Sequence, residues 1–127
     1  MIVLDASAAV EALLNDGPAR QLVATQPLHT PHLADAEVLS ALRRLVGAGT
    51  LTARDGDRCV SAWGGLGLIR HGAAPLLGRI WQLRQALSPY DAMYVALAER
   101  LGCALLTADA RIAGAPGVMC AVTIVRN

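Results

Sequence analysis

The residues with the clearest chemical potential are four carboxylic acids, Asp5, Glu37, Asp91 and Asp109. Asp5 directly follows the apolar run "IVL", and Asp109 lies two residues after the apolar run "CALLT". Carboxylates that lie within a few ångströms of each other repel, and one of them takes up a proton unless a cation neutralises the group. A hard divalent ion such as Mg²⁺ or Mn²⁺ prefers carboxylate and water oxygens. The four acids therefore predict a metal site if the fold brings them together.

Each of the three Asp residues also has a purely structural interpretation. Asp5 and Asp109 both lie between an apolar segment and a helical pattern, where an Asp side chain often caps the helix by accepting backbone N–H bonds. Asp91 closes the sequence "SPYD", which matches a capping box that begins at Ser88 and places Pro89 in the first turn. Taken alone, none of these positions distinguishes a helix cap from a metal ligand.

Glu37 lies at the border of an apolar helical stripe formed by Ala34, Val38, Ala41 and Leu45. A surface contact with Arg44 or Ser40 is the structural alternative to a role in the site. Asp35 is a rival acid on the same helix, but its place in the first turn suits stabilisation of the helix dipole.

Two hydroxyl side chains, Ser7 and Thr107, each lie two residues from an Asp of the set. We expect them to orient a carboxylate or a bound water as supporting residues of the site. The structural alternatives are a helix cap for Ser7 and simple strand preference for Thr107.

Length and composition limit the class of protein. The 127 residues are 54% hydrophobic and carry a net charge of +1, which predicts one domain over residues 1–127 without a polybasic nucleic-acid surface. The uncharged stretches are too short for a membrane helix, and "MIVLDAS" does not resemble a secretory signal, so we expect a cytoplasmic protein. The chain contains no Lys, which excludes every mechanism that needs a side-chain ammonium group.

Apolar periodicity predicts alternating strands and helices. Strands are predicted at 2–4, 27–31, 68–71, 103–107 and 119–125. Helices are predicted at 7–15, 19–26, 35–46, 52–67, 74–87, 89–101 and 109–114. The segment 54–67 is Gly-rich for a helix, and we expect it to be shortened or bent. This alternation indicates an α/β domain with a mostly parallel sheet covered on both faces. Ligands of such sheets bind beyond the carboxyl ends of the strands, where Asp5 and Asp109 are expected.

The remaining reactive side chains have simpler explanations. The three cysteines, Cys59, Cys103 and Cys120, are widely spaced in apolar runs and are predicted to be reduced core thiols. The three histidines share no helical spacing, which favours loop or solvent positions over metal binding. Trp63 and Trp81 are predicted to be core or interface anchors rather than base-stacking platforms.

Four blocks of the sequence together resemble a known family. "IVLDAS", "LADAEVLSALRR", "IWQLRQALSPYDAMYVALAERL" and "LLTADARI" are similar, in order and spacing, to the successive blocks of PIN-domain ribonucleases, in particular the VapC toxins of bacterial toxin–antitoxin pairs. The resemblance extends from Met1 to about Val125. It implies a three-layer α/β/α sandwich with a central, mostly parallel sheet and an acidic pocket at its carboxyl edge. The acids at 5, 37, 91 and 109 occupy the family's four acidic positions, and Ser7 its small hydroxyl.

The resemblance also implies an activity and partners. It implies a Mg²⁺-dependent endoribonuclease, with Mn²⁺ as a possible substitute, that leaves a 5′-phosphate and a 3′-hydroxyl. It further implies a homodimer, and a small antitoxin protein that holds the toxin inactive. Surface arginines such as Arg43, Arg44 and Arg84 are candidates for RNA contacts, with solvent-exposed structural roles as the alternative.

Other functions are also considered. Phosphoaspartate enzymes and response regulators also begin with a strand that ends in Asp, but they rely on a Lys that this chain lacks. "GGLGLIRHG" does not follow the first strand and does not have the spacing of a dinucleotide-binding loop. The main alternative is a non-catalytic PIN-like module that binds RNA or protein. Such a module typically lacks one or more of the acids, whereas this sequence has all four.

Overall fold

The computed structural model describes residues 1–125 as alternating strands and helices. Five strands lie at Ile2–Leu4 (β1), Leu28–Pro31 (β2), Leu68–His71 (β3), Ala104–Thr107 (β4) and Val122–Ile124 (β5). Within these residues, α-helices lie at Ala6–Leu14 (α1), Pro18–Thr25 (α2), Leu33–Gly47 (α3), Ala53–Gly65 (α4), Leu77–Gln82 (α5), Pro89–Leu101 (α6) and Ala110–Ala113 (α7). A 3₁₀ turn at Ala74–Leu76 precedes α5.

The strands form one parallel sheet in the order β3-β2-β1-β4-β5. β1 is central, and Val3 pairs with His29 of β2 on one side and with Leu105 of β4 on the other. All three residues of β1 are buried, as expected for a strand covered on both faces. Because the chain moves outward from β1 in both directions, the topological switch point lies between β1 and β4.

Helices cover the sheet in two layers. α6 crosses β1, β2 and β4 and has α5 packed against it, while α1 packs with α2, α3 and α4. The largest fully buried side chains come from β1, β4 and the middle of α6, and include Leu4, Leu97, Leu105 and Leu106. The predicted three-layer α/β/α sandwich with a parallel sheet is confirmed. Among residues 1–125, no helix combines the length and apolar character needed to cross a membrane.

Two predicted elements are shorter in the structure. In place of one helix over 74–87, the 3₁₀ turn and the six-residue α5 are followed by turns, in which Arg84 and Ala86 donate backbone bonds to residues three positions earlier. The predicted strand 119–125 is limited to Val122–Ile124, because the Met119 N–H donates to the Glu99 carboxylate instead of to a neighbouring strand. Local turn bonds shorten the first segment, and a side-chain contact with α6 shortens the second.

The Gly-rich segment forms a helix that is shorter than the predicted 52–67. α4 extends over 13 residues, with Thr52 as its N-cap, and ends at Gly65, which agrees with the expected shortening. Gly56 has a packing role, since a Cβ atom at this position would lie 3.0 Å from Val46 Cγ2 of α3. Trp63 of α4 is 3% exposed and belongs to the core, as predicted.

Asp35 joins α3 to two other elements. Its carboxylate accepts one bond of 2.8 Å from Trp63 Nε1 of α4 and two from Arg70 Nε and Nη2 of β3, both also 2.8 Å. The Arg70 guanidinium, helped by the Trp63 indole, holds the pKa of Asp35 below its ordinary value. The role of Asp35 therefore extends beyond the helix-dipole effect expected from the sequence.

We predict that Asp35→Asn lowers the free energy of unfolding by about 1 kcal/mol at neutral pH. The neutral amide of Asn has one acceptor oxygen and cannot form both charge-assisted bonds with Arg70. A group with a lowered folded pKa stabilises the protein above its unfolded pKa and loses that effect as the pH falls through the folded pKa. The difference between variant and wild type should therefore vanish in acid, as measured by urea unfolding at several pH values. Asp55→Asn is the control, since Asp55 lies 3.8 Å from exposed Arg58. An equal loss in both variants would contradict the assigned role.

Candidate active site

The four candidate carboxylates line one cleft at the carboxyl edge of the sheet. The cleft has a volume of about 420 Å³ and lies between α1, α3 and α6. Its lining includes Asp5, Ser7, Glu37, Ser40, Arg44, Asp91, Tyr94 and Asp109. Because β1 and β4 are neighbours, the acids that follow them meet at this edge, as the sequence predicted if the two strands paired.

Asp5 is the most deeply buried acid, at 5% exposure. One oxygen, Oδ1, caps α1 by accepting from the Ala8 N–H at 2.9 Å and also accepts from the Ser7 hydroxyl at 2.7 Å. The other oxygen, Oδ2, accepts from the Thr107 hydroxyl at 2.5 Å. All three donors are neutral, and burial raises the pKa of Asp5 above its ordinary value. The Asp5 carboxylate is thus held in one orientation without a compensating positive charge.

Asp91 enters the cleft from the first turn of α6. Ser88 is the N-cap of this helix, and its hydroxyl accepts from the Asp91 N–H at 3.2 Å, with Pro89 in the first turn. Burial and the neighbouring Asp109 carboxylate raise the pKa of Asp91, against the opposing effects of Arg111 and Ser88. Capping by Ser88 therefore directs an incompletely neutralised carboxylate into the cleft.

Glu37 is held by a residue that the sequence analysis did not identify. The Tyr94 hydroxyl donates to Glu37 Oε1 at 2.5 Å, and Tyr94 is itself 2% exposed. Burial and the Glu37 carboxylate raise the pKa of Tyr94, so this phenol remains a donor. The alternative surface contact with Arg44 is wrong, because Arg44 donates to Ser40. Tyr94 lies three residues after Asp91 on one helix face, which is the signal that would have identified it.

Asp109 follows β4 and has a cationic partner. Its Oδ1 caps α7 by accepting from the Arg111 N–H at 3.0 Å. The Arg111 side chain adds a bond from Nε to Oδ1 of 3.0 Å and one from Nη2 to Oδ2 of 2.6 Å. This guanidinium holds the pKa of Asp109 below its ordinary value. Asp109 therefore differs from Asp5 and Asp91, because its charge is already balanced.

The donor set fits a hard divalent cation in chemical type, since it consists of carboxylate and hydroxyl oxygens. The unbalanced charges of Asp5 and Asp91 are those that a cation would neutralise. As placed in residues 1–125, no three Asp, Glu, His or Cys side chains converge closely enough to hold one ion. Tyr94 and Arg111 occupy oxygens of the other two acids, Glu37 and Asp109.

Other side chains lie away from this cleft. His29 and His71 are on neighbouring strands rather than in loops, and His29 Nδ1 lies 2.8 Å from His71 Nε2. Trp81 is 67% exposed, so it is not a core residue, whereas Trp63 is. The cysteines are free, with Cys59 buried and the other two half-buried, as expected for reduced thiols.

The comparison with known proteins identifies the family. The sequence-family model of the PIN domain matches residues 2–118 of the chain. The chain belongs to the PIN-domain family. This PIN domain is 53% identical over 125 residues to Ribonuclease VapC9 of Mycobacterium tuberculosis and to VapC ribonuclease Mb0985 of Mycobacterium bovis, with 98% of each chain covered. It is 40% identical over 129 residues to Ribonuclease VapC1 of Mycobacterium tuberculosis, covering 98% of this chain and 97% of the relative. The resemblance of the sequence blocks is confirmed.

Solved structures share the fold of this PIN domain. VapC20 of Mycobacterium tuberculosis, described as a Sarcin-Ricin loop cleaving toxin, has a TM-score of 0.68 and 19% identity, covering 94% of this chain and 97% of that chain. VapBC2 of Rickettsia felis, bound to a DNA fragment from its promoter, has a TM-score of 0.70 and 12% identity. The match covers 99% of this chain and 100% of that chain. At these identities the likeness shows the fold alone.

We predict different effects for two Asn variants of the metal-free protein at neutral pH. Asp91→Asn removes an unbalanced, half-buried charge and should raise the melting temperature. Asp109→Asn leaves Arg111 without its ion pair and should leave the melting temperature unchanged or slightly lower. Thermal unfolding with EDTA measures both. Millimolar Mg²⁺ should then stabilise the wild type more than Asp91→Asn. A fall for Asp91→Asn as large as that for Asp109→Asn would show that Asp91 acts mainly as a structural residue.

Proposed function

We propose that this PIN domain is a Mg²⁺-dependent endoribonuclease that acts as the toxin of a bacterial toxin–antitoxin pair. The observation that carries the proposal is that four carboxylates line one cleft at the switch point of the sheet. Relatives that match nearly the whole chain are named VapC ribonucleases, which supports RNA as the substrate. The protein retains all four acids, which favours a nuclease over a non-catalytic PIN-like module.

Asp5 and Asp91 are proposed as the principal metal ligands, because their charges lack a partner. Glu37 and Asp109, which line the same cleft, would complete the set of ligands. A Mg²⁺ or Mn²⁺ ion held by these residues would supply activation of a water and neutralisation of the negative charge that develops during phosphodiester cleavage.

The protein groups supply orientation and hydrogen bonds. Ser7 and Thr107 hold the Asp5 carboxylate in one rotamer, which limits the reorganisation needed when substrate binds. Tyr94 donates to Glu37 Oε1, which leaves Oε2 as the Glu37 oxygen available to a cation in the cleft. No side-chain nucleophile is required, and cleavage leaves a 5′-phosphate and a 3′-hydroxyl.

A small antitoxin and a second copy of the chain are the proposed protein partners. The VapBC2 structure, which shares this fold, contains a VapB and a VapC component by its name. A cleft lined by four carboxylates is a suitable receptor for an Arg side chain of an antitoxin segment. We also propose a homodimer in the cytoplasm, following the VapC resemblance.

The first test of the proposal is metal-dependent cleavage. Purified protein, freed of any antitoxin, should cleave bacterial RNA with Mg²⁺ or Mn²⁺ and lose activity in EDTA. Asp5→Asn, Asp91→Asn and Asp109→Asn should lower the cleavage rate by a factor on the order of 100 or more while remaining folded. Asp55→Asn, which changes an exposed acid on α4, is the matched control and should retain full activity. Unchanged cleavage in excess EDTA would exclude the metal mechanism.

The second test concerns the biological role. Expression of the chain alone should arrest bacterial growth, and co-expression of a short protein encoded upstream should restore growth through a stable complex. Asp5→Asn should be harmless at the same expression level, since toxicity depends on cleavage. Growth arrest that persists with Asp5→Asn would show that toxicity has another cause.

A further inference from the structure

Two arginines lie at the acidic cleft, although the sequence did not distinguish them from other surface arginines. Arg44 lines the cleft from α3, and Arg111 is bonded to Asp109, which lines it after β4. The other candidates lie elsewhere, because Arg43 lines a groove between α3 and α4, and Arg84 lies 4.6 Å from the Trp81 ring centre. The structure therefore places Arg44 and Arg111 at the acidic cleft, and Arg43 and Arg84 away from it.

Arg111 is anchored and still accessible. Its Nε and Nη2 atoms bond to the Asp109 carboxylate, and its side chain is 84% exposed. A guanidinium has five N–H donors. Among residues 1–125, the bonds of the Arg111 side chain involve Nε and Nη2, so the donors on Nη1 are available to a ligand. The short α7 and the Asp109 carboxylate together hold this edge in place, which reduces the entropy lost on binding.

Arg44 has a similar arrangement on the α3 wall. Its Nη1 donates to Ser40 Oγ at 3.0 Å, and the side chain is exposed. Arg44 lies seven residues after Glu37, which places both on the same face of α3. The two guanidiniums thus approach the carboxylates from different elements, α3 and α7.

The electrostatics of the cleft require such cations. Four carboxylates repel an RNA strand, whose backbone carries one negative charge per phosphate. A metal ion neutralises only the centre of the cleft, so flanking phosphates need positive charge at the rim. Arg is suited to this role because its planar donors match phosphate oxygens in pairs.

We propose that Arg44 and Arg111 bind the RNA phosphates next to the cleaved bond, and that Asp109 positions Arg111 for this contact. The proposal rests on the proposed function only in taking RNA as the ligand of the cleft. It assigns two substrate-binding residues that contribute affinity independently of base sequence.

The experiment measures RNA binding separately from cleavage. A fluorescein-labelled single-stranded RNA of mixed sequence is titrated with each protein in EDTA, and anisotropy is recorded at several salt concentrations. Arg44→Ala and Arg111→Ala should each raise Kd on the order of fivefold to tenfold. Each should also reduce the slope of log Kd against log salt concentration by about 0.7, the value for one phosphate contact on a single strand. Arg111→Lys should retain the slope, since it keeps the charge.

Arg58→Ala is the matched control, because Arg58 is also an exposed Arg beside an Asp of its own helix. Its Kd and salt slope should equal those of the wild type. Unchanged slopes in both cleft variants, or equal losses with Arg58→Ala, would overturn the proposal. A wild type that binds RNA through these arginines but does not cleave it with any divalent ion would refute the proposed nuclease function while supporting this inference.

Discussion

The parallel pairing of β1 with β4 is the constraint on which the site depends. It sets Leu4 opposite Leu106, and the Asp5 N–H continues the ladder by donating to the Leu106 carbonyl at 3.1 Å. The same register brings the Thr107 hydroxyl onto the Asp5 carboxylate. One ladder therefore positions the most buried acid, its orienting hydroxyl and the segment that carries Asp109. The apolar side chains of both strands stabilise this ladder because helices cover the sheet on either face.

The acids gathered at this edge are not equivalent, and their partners explain the difference. Asp5 is bonded only to neutral donors, Glu37 accepts a hydrogen bond from a buried phenol, and Asp109 is paired with a guanidinium. Among the four acids, the charge of Asp109 is balanced by a guanidinium, whereas the charges of Asp5 and Asp91 are not. Under the proposed function, the two unbalanced carboxylates are those that a divalent cation would neutralise.

Helix capping and the proposed chemistry involve the same residues in this protein. Asp5 and Asp109 each accept the backbone bond expected of a cap, and each still presents a carboxylate at the cleft. The cap interpretation and the site interpretation are therefore compatible rather than exclusive. A carboxylate fixed by backbone N–H donors at a strand end has few rotamers available, so the structural bond preorganises the chemical group.

The sequence by itself determined the alternation of strands and helices, the parallel sheet and the four acids, because these follow from apolar periodicity and from residue types at strand and helix ends. The sequence also contains four motifs whose order and spacing identify the family. Only the tertiary structure decided which partners each acid has. The Tyr94 bond to Glu37 spans 57 residues and the Thr107 bond to Asp5 spans 102. Local spacing indicates such side chains as candidates, but only the fold decides which acid each of them contacts. The break in the predicted helix over 74–87 has the same origin, since packing and local turn bonds prevailed over apolar periodicity.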